Sequence, residues 1–150
     1  MIIKIEKAKE NDLEQILELQ YLAYQSEANL FNNKNIPPLK QTITDVLEEF
    51  YKGIILKAVN EKEKIIGSVR AYCENGIVYI GKLMVNPDFQ KRGIGTTLLA
   101  EIENEYPGQR YELFTSTRSV DNIRLYERLG YKIFKYESIS QELEFVYMQK

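Results

Sequence analysis

The stretch VNPDFQKRGIG, residues 85–95, largely decides how the rest of the chain is interpreted. It joins the end of a predicted strand to an amphipathic helix through a loop with two glycines and two cations. Such a loop leaves backbone N–H groups unpaired at the positive end of the helix dipole. The glycines let a ligand approach the backbone, and Lys91 and Arg92 add positive charge. The stretch therefore predicts a site for an anion such as pyrophosphate.

Two other phosphate-binding motifs do not fit the same loop. The dinucleotide-binding fingerprint needs a third small residue three positions after the second glycine, where this chain has Leu98. The P-loop needs Lys and then Ser or Thr after its glycine, but Gly95 is followed by Thr96 and Thr97. On the bare spacing, a plain strand-to-helix turn remains the alternative.

The patterns around this loop predict the element order β-α-α-β-β-β-α-β-α-β-β. Asn11 or Asp12 is expected to cap the first helix, and Asn75-Gly76 predicts a tight hairpin between two strands. The predicted strands cover residues 2–7, 54–59, 65–73, 77–85, 111–115, 131–137 and 142–148. Four helices are predicted. The first begins after that cap and ends near residue 28, and the second spans residues 39–51. The third runs from the glycine loop to residue 107, and the fourth spans residues 121–129.

Composition narrows the class of protein. The chain has 150 residues, of which 44% are hydrophobic, and a formal net charge of -2, so we expect one soluble domain over residues 1–150 with no nucleic-acid partner. Its first residues resemble neither a signal peptide nor a membrane span, and we expect a cytoplasmic protein. The absence of histidine excludes Ser-His-Asp and Cys-His machinery. The lone Cys73 is expected to be an inert packing thiol.

The pattern Gln-x-x-Gly-x-Gly, after a strand ending in Val-x-Pro, resembles the pyrophosphate signature of the GNAT N-acetyltransferases. The stretch NIRLYERLGY, residues 122–131, resembles that family's second signature, and the element order is similar along nearly the whole chain. The resemblance implies an α/β (α+β) fold: a mixed, mostly antiparallel seven-stranded sheet flanked by four helices. It also implies transfer of the acetyl group of acetyl-CoA to a primary amine by direct attack in a ternary complex, without a metal.

The resemblance assigns roles to residues of this chain. Backbone groups of residues 83–85 would pair with the pantetheine arm, and an N–H at Leu83 would polarise the acetyl carbonyl as an oxyanion-hole donor. Asn122 would bind the cofactor, and Tyr126 would protonate the leaving thiolate. The alternative for Tyr126 is that its ring only packs in the core. The expected cofactor contacts are Leu83, Met84, Val85, Gln90, Lys91, Arg92, Gly93, Ile94, Gly95, Thr96, Asn122 and Tyr126.

The general base is not assigned by the resemblance. Many relatives carry a glutamate where this chain has Tyr79, and a phenol is a poor base at neutral pH. An ordered water, Glu27 and Glu74 remain open as the base. Tyr24, Glu27 and Tyr79 are the candidate substrate-binding residues.

The acceptor is expected to pass beneath residues 21–38, because in relatives this segment covers the acetyl end of the cofactor. The segment includes the polar run 32–35 and two prolines that limit its motion, and a plain helix-helix connection is the alternative. The expected partner is a small-molecule or peptide amine, mildly favoured to be cationic by the net charge, and a homodimer is compatible with the sequence. The competing class is a non-catalytic acyl-CoA-binding sensor or scaffold.

Overall fold

A computed structural model describes residues 2–31 and 36–150, so the polar run 32–35 lies outside the described residues. Seven strands and four α-helices follow one another in the predicted order. The strands are β1 (Lys4–Lys7), β2 (Ile54–Val59), β3 (Ile65–Glu74), β4 (Ile77–Val85), β5 (Arg110–Ser116), β6 (Lys132–Ser138) and β7 (Glu144–Gln149). The helices are α1 (Leu13–Phe31), α2 (Ile43–Lys52), α3 (Ile94–Asn104) and α4 (Val120–Arg128).

The strands form one sheet in the order β1-β2-β3-β4-β5-β7-β6, which confirms the predicted mixed sheet. Every neighbouring pair is antiparallel except β4 and β5. These two parallel strands pair only over residues 77–79 and 110–112. The sheet therefore opens between β4 and β5 toward their carboxyl ends, the edge at which open α/β sheets bind ligands.

A β-bulge in β4 accompanies this opening. Ser68 pairs with Met84 and Arg70 pairs with Gly81, so two residues, Lys82 and Leu83, stand opposite the single residue between them on β3. Lys82 has a positive φ of 52°, which is uncommon for a residue with a side chain. A bulge of this kind bends the strand that contains it and increases the twist of that strand. In β4 the bend lies after the last residue that pairs with β5.

The two faces of the sheet have separate cores. On one face, α3 packs Leu98, Leu99 and Ile102 against β2, β3 and β4, with Tyr126 of α4 in the same cluster. On the other face, α1 and α2 pack a second cluster that includes Ile16 and Val46 and the β4 residue Met84, while Val78 and Ile80 of β4 join the α3 side. β4 is thus fixed from both sides, which holds its open edge in place.

Helix starts differ from the predicted ones for local reasons. Thr42 caps α2: its hydroxyl accepts from the Asp45 N–H at 3.3 Å, and Asp45 accepts from the Thr42 N–H at 2.8 Å. This capping box places the start at Ile43 rather than residue 39, and residues 37–39 form a 3-10 turn. Neither Asn11 nor Asp12 is the cap residue, because a 3-10 turn precedes α1 and Asp12 accepts from the backbone of Lys9.

Two apolar side chains of the amphipathic helices, and the cysteine expected to pack inside, are exposed. Leu22 is 50% exposed and Ile43 is 36% exposed, because the buried face of each helix is narrower than its apolar stripe. Cys73 is also exposed, next to the Asn75-Gly76 hairpin, so it is not a packing thiol. The hairpin itself is confirmed, with φ values of 54° and 79° at its two central residues. Within the part of the chain that the structure describes, no helix is long and apolar enough to cross a membrane.

Candidate active site

The loop before α3 has the shape that the glycine spacing predicts. Asn86 anchors its start: the backbone N–H donates to Ile66 on β3 at 2.8 Å, and the side chain accepts from the Asp88 N–H at 2.9 Å. Lys91 and Gly93 then adopt positive φ values of 63° and 79°. Gly93 occupies the N-cap position of α3.

This loop presents unpaired donors to open space. The backbone N–H groups of Gly93, Ile94 and Gly95 have no hydrogen-bond acceptor among residues 2–31 and 36–150. A Cβ added at Gly93 would meet nothing within 4 Å, and one at Gly95 would lie 3.6 Å from Leu125 and 3.9 Å from Val85. Unpaired donors at a helix N-terminus, with room in front of them, fit an anionic group such as pyrophosphate.

The open edge of β4 continues from this loop. Beyond Tyr79 no strand pairs with the edge that faces β5 in the described part of the sheet, while β3 pairs with the other edge up to Val85. Residues 83–85 therefore offer backbone groups to an extended ligand, as an edge strand does to an added peptide. Leu83 and Val85 pack against the α3 side and Met84 against the α1 side.

Tyr126 is the most deeply buried side chain of α4. It is 6% exposed, whereas Asn122 and Leu125 on the same helix, and Leu129 directly after it, are only partly buried. Burial, and then the charge of Glu27, raises the pKa of Tyr126 well above that of a free phenol. The hydroxyl has no hydrogen-bond partner within the described chain, so it is free to donate to a ligand.

Glu27 reaches the same place from the opposite side of the sheet. Its carboxylate accepts a 2.7 Å hydrogen bond from the hydroxyl of Ser119, the residue at the N-cap position of α4. Burial raises the pKa of Glu27, and the bond from Ser119 opposes that shift. A partly buried carboxylate with a raised pKa is a stronger base than an ordinary glutamate.

Tyr24 lies on α1 one turn before Glu27. Burial raises the pKa of Tyr24, and the negative charge of Glu27 raises it further. The structure thus brings Tyr24 and Glu27 of α1 to the start of α4, the helix that carries Tyr126.

The other two candidates lie elsewhere. Tyr79 stacks on Tyr72 with ring centroids 5.2 Å apart and sits opposite Glu112 in the last pair before the opening. Glu74 is exposed beside the hairpin. Ser119 is a site residue that the sequence reasoning missed, although a serine directly before a helix is a recognisable start signal.

The comparisons with known proteins agree with this geometry. A family model for the acetyltransferase (GNAT) domain matches residues 51–133. The curated UPF0157 protein YqkA of Bacillus subtilis (strain 168) is 24% identical over 119 residues, which is 79% of this chain and 34% of that protein. The uncharacterized N-acetyltransferase ycf52 of Gracilaria tenuistipitata var. liui is 24% identical over 120 residues, which is 74% of this chain and 66% of that protein. The chain therefore spans about a third of the first relative and just under two thirds of the second.

The fold also matches solved structures along its whole length. The PaiA N-acetyltransferase of Thermoplasma acidophilum, crystallised in complex with coenzyme A, superposes with a TM-score of 0.81 at 19% identity. The match covers 100% of this chain and 99% of that one. At this level of identity the likeness establishes a shared fold.

Proposed function

Because the chain belongs to the GNAT acetyltransferase family, we propose that it transfers the acetyl group of acetyl-CoA to a primary amine. The acceptor is a small molecule or a peptide. The observation that carries the proposal is the hydrogen bond that holds Glu27 at the start of α4, the helix that carries Tyr126: one group is suited to accept a proton and the other to donate one. A fold kept only to hold acyl-CoA has no need for this pair.

The cofactor-binding residues follow from the unpaired backbone. The donors of Gly93, Ile94 and Gly95 hold the pyrophosphate, together with the backbone of Gln90, Lys91, Arg92 and Thr96. Residues 83–85 pair with the pantetheine arm. Asn122, partly buried on α4, adds a side-chain contact. Bound acetyl-CoA supplies an activated acetyl thioester.

The residues of this chain then carry out the proton transfers. The Leu83 N–H donates to the acetyl oxygen and stabilises the negative charge that develops there. Glu27 accepts a proton from the attacking amine, so that the N–C bond forms from a neutral nitrogen. Tyr126 donates to the sulfur as the C–S bond breaks, and its raised pKa keeps the phenol protonated until that moment.

Replacement of Gly93 by leucine is expected to weaken acetyl-CoA binding by more than about tenfold, because a side chain would fill the space in front of the unpaired donors. Isothermal titration with acetyl-CoA measures this effect. Gly108→Leu is the matched control: Gly108 has a φ of 74° and, like Gly93, open space around its Cβ position. Both variants bear the same backbone strain, so an affinity loss confined to Gly93→Leu locates the site. Unchanged affinity in Gly93→Leu would remove the pyrophosphate assignment.

Thiol release from acetyl-CoA, measured with and without a panel of amines, separates an enzyme from a sensor. The proposed function predicts release that depends on both the amine and Glu27. Binding of acetyl-CoA without amine-dependent release would instead identify a non-catalytic sensor or scaffold.

Three expectations stay predictions: a single domain over residues 1–150, a cytoplasmic location and a homodimer. The last is supported by apolar side chains exposed on β5 and β6, including Phe114, Phe134 and Tyr136.

A further inference from the structure

A buried polar cluster lies beneath α1 and α2. Arg70 is only 4% exposed and projects from β3 on the face opposite Val69 and Ala71, which belong to the α3 core. Its guanidinium donates to Glu49 of α2, to Gln20 of α1 and, at 3.3 Å, to Gln41. This cluster of Gln20, Gln41, Glu49 and Arg70 also includes Lys82 of the β4 bulge, whose Nζ lies 3.9 Å from Glu49.

The charges in this cluster do not balance. Two cations, Arg70 and Lys82, face the single carboxylate of Glu49. The Nε of Arg70 is buried and has no hydrogen-bond partner among the described residues. Burial lowers the pKa of Lys82. The charge of Glu49 raises this pKa, whereas the charge of Arg70 lowers it further. Neutral acceptors satisfy part of the guanidinium, but a single carboxylate faces two partly desolvated cations, so the cluster has room for one more negative charge.

The cluster adjoins the proposed reaction centre. Lys82 directly precedes Leu83, and its side chain is 22% exposed, so a ligand in the opening can reach it. The pKa of Tyr24 responds to Glu27 and Tyr126 and also to Arg70 and Glu49. On α1, Tyr24 lies four residues after Gln20 of the cluster and three residues before Glu27, so the three residues share one side of the helix.

We propose that the acceptor carries a carboxylate. This carboxylate pairs with Lys82, close to the charge of Arg70, while the amine of the acceptor faces Glu27. The acceptor class is thus an amino-carboxylic acid. This inference rests on the proposed acetyl transfer and narrows its substrate. It replaces the cationic amine favoured by the net charge of the chain, because a pair of close, partly desolvated cations outweighs a weak long-range field.

The test uses matched acceptors: a series of ω-amino acids with increasing numbers of methylene groups, each compared with its carboxamide. The amide has the same shape without the charge. For at least one chain length, kcat/KM of the acid should exceed that of the amide by about tenfold or more, as expected when a partly buried cation gains a charged hydrogen-bond partner.

Variants of Lys82 assign this preference to the cluster. Lys82→Met should reduce the acid-to-amide ratio to near parity, mainly by raising KM for the acid. An unbranched methionine accepts the φ of 52° as the lysine does. Lys82→Arg should keep the preference. Lys132→Met, on the exposed strand β6, is the control and should behave like the unmodified chain.

Each outcome decides one part of the account. Amines acetylated with no preference for the acid, or a preference that Lys82→Met leaves intact, would overturn this inference alone and leave a purely structural ion network. If acetyl-CoA binds but no amine in the panel is acetylated, the proposed function fails and this inference fails with it. An acid preference lost in Lys82→Met and kept in Lys82→Arg supports both.

Discussion

Replacement of Glu27 by glutamine is expected to lower kcat by about 100-fold or more, the range typical of a lost general base. Glutamine keeps the carbonyl oxygen that accepts from Ser119, so the link between α1 and α4 stays in place. The affinity for acetyl-CoA should change little, because the proposed cofactor contacts come from β4, the glycine loop and α4. Steady-state kinetics with a fixed amine, together with titration of acetyl-CoA, measure both quantities.

The matched control for this variant is Glu74→Gln. Glu74 is an exposed carboxylate beside the hairpin, and its loss should cost less than about tenfold, below the general-base range. A loss below about tenfold in Glu27→Gln would return the role of base to an ordered water. A loss of about 100-fold in Glu74→Gln would move that role to Glu74.

The pH dependence supplies a second readout of Glu27. Activity requires the ionised carboxylate, so kcat/KM should fall as the pH drops through a pKa that burial holds above that of an ordinary glutamate. A raised carboxyl pKa in the folded state means that stability decreases as pH rises through that range. Glu27→Gln therefore loses the acid limb of the profile without losing stability at neutral pH, so reduced activity is not caused by unfolding.

Replacement of Tyr126 by phenylalanine is expected to lower kcat on the order of 100-fold and to leave acetyl-CoA affinity nearly unchanged. The ring keeps its buried contacts, and only the hydroxyl that donates to the leaving sulfur is removed. Burial holds the pKa of this phenol high, so the unmodified residue stays protonated across neutral pH. Single-turnover measurements at saturating amine isolate the chemical step.

Tyr131→Phe is the control for this substitution. The two rings lie 6.1 Å apart, but the Tyr131 hydroxyl donates to Glu103 of α3 at 2.8 Å. Its removal should cost about 1.5 to 3 kcal/mol of stability, the usual net range for a hydrogen bond to a charged group, with little change in kcat. An unchanged kcat in Tyr126→Phe would make Tyr126 only a core aromatic.

Local signals made much of the fold predictable. The Asn75-Gly76 hairpin and the loop ending at Gly93 depend on backbone conformations that a few adjacent residues determine, and both occur in the structure. The start of α2 was placed too early because apolar periodicity extends past the helix end, while Thr42 and Asp45 define it. The burial of Tyr126 on α4 depends on neighbouring elements, which periodicity does not report.

The site was predictable only in part, because its remaining contacts join distant parts of the chain. Ser119 and Glu27 are 92 positions apart, and no spacing rule connects them. Arg70 was not singled out from the sequence, because its partners on α1 and α2 lie 50 and 21 positions away. The bulge that sets Lys82 and Leu83 opposite a single residue of β3 depends on the register of two strands.

One measurement tests direct acetyl transfer most sharply. The protein, in excess over acetyl-CoA labelled in the acetyl group, is mixed with an amino acid acceptor, quenched at short times and examined by mass spectrometry. The account predicts label that passes from CoA to the N-acetyl product, equal amounts of free thiol and product, and no labelled protein at any time. Label that accumulates on the protein, or that remains on CoA with every acceptor, would contradict it.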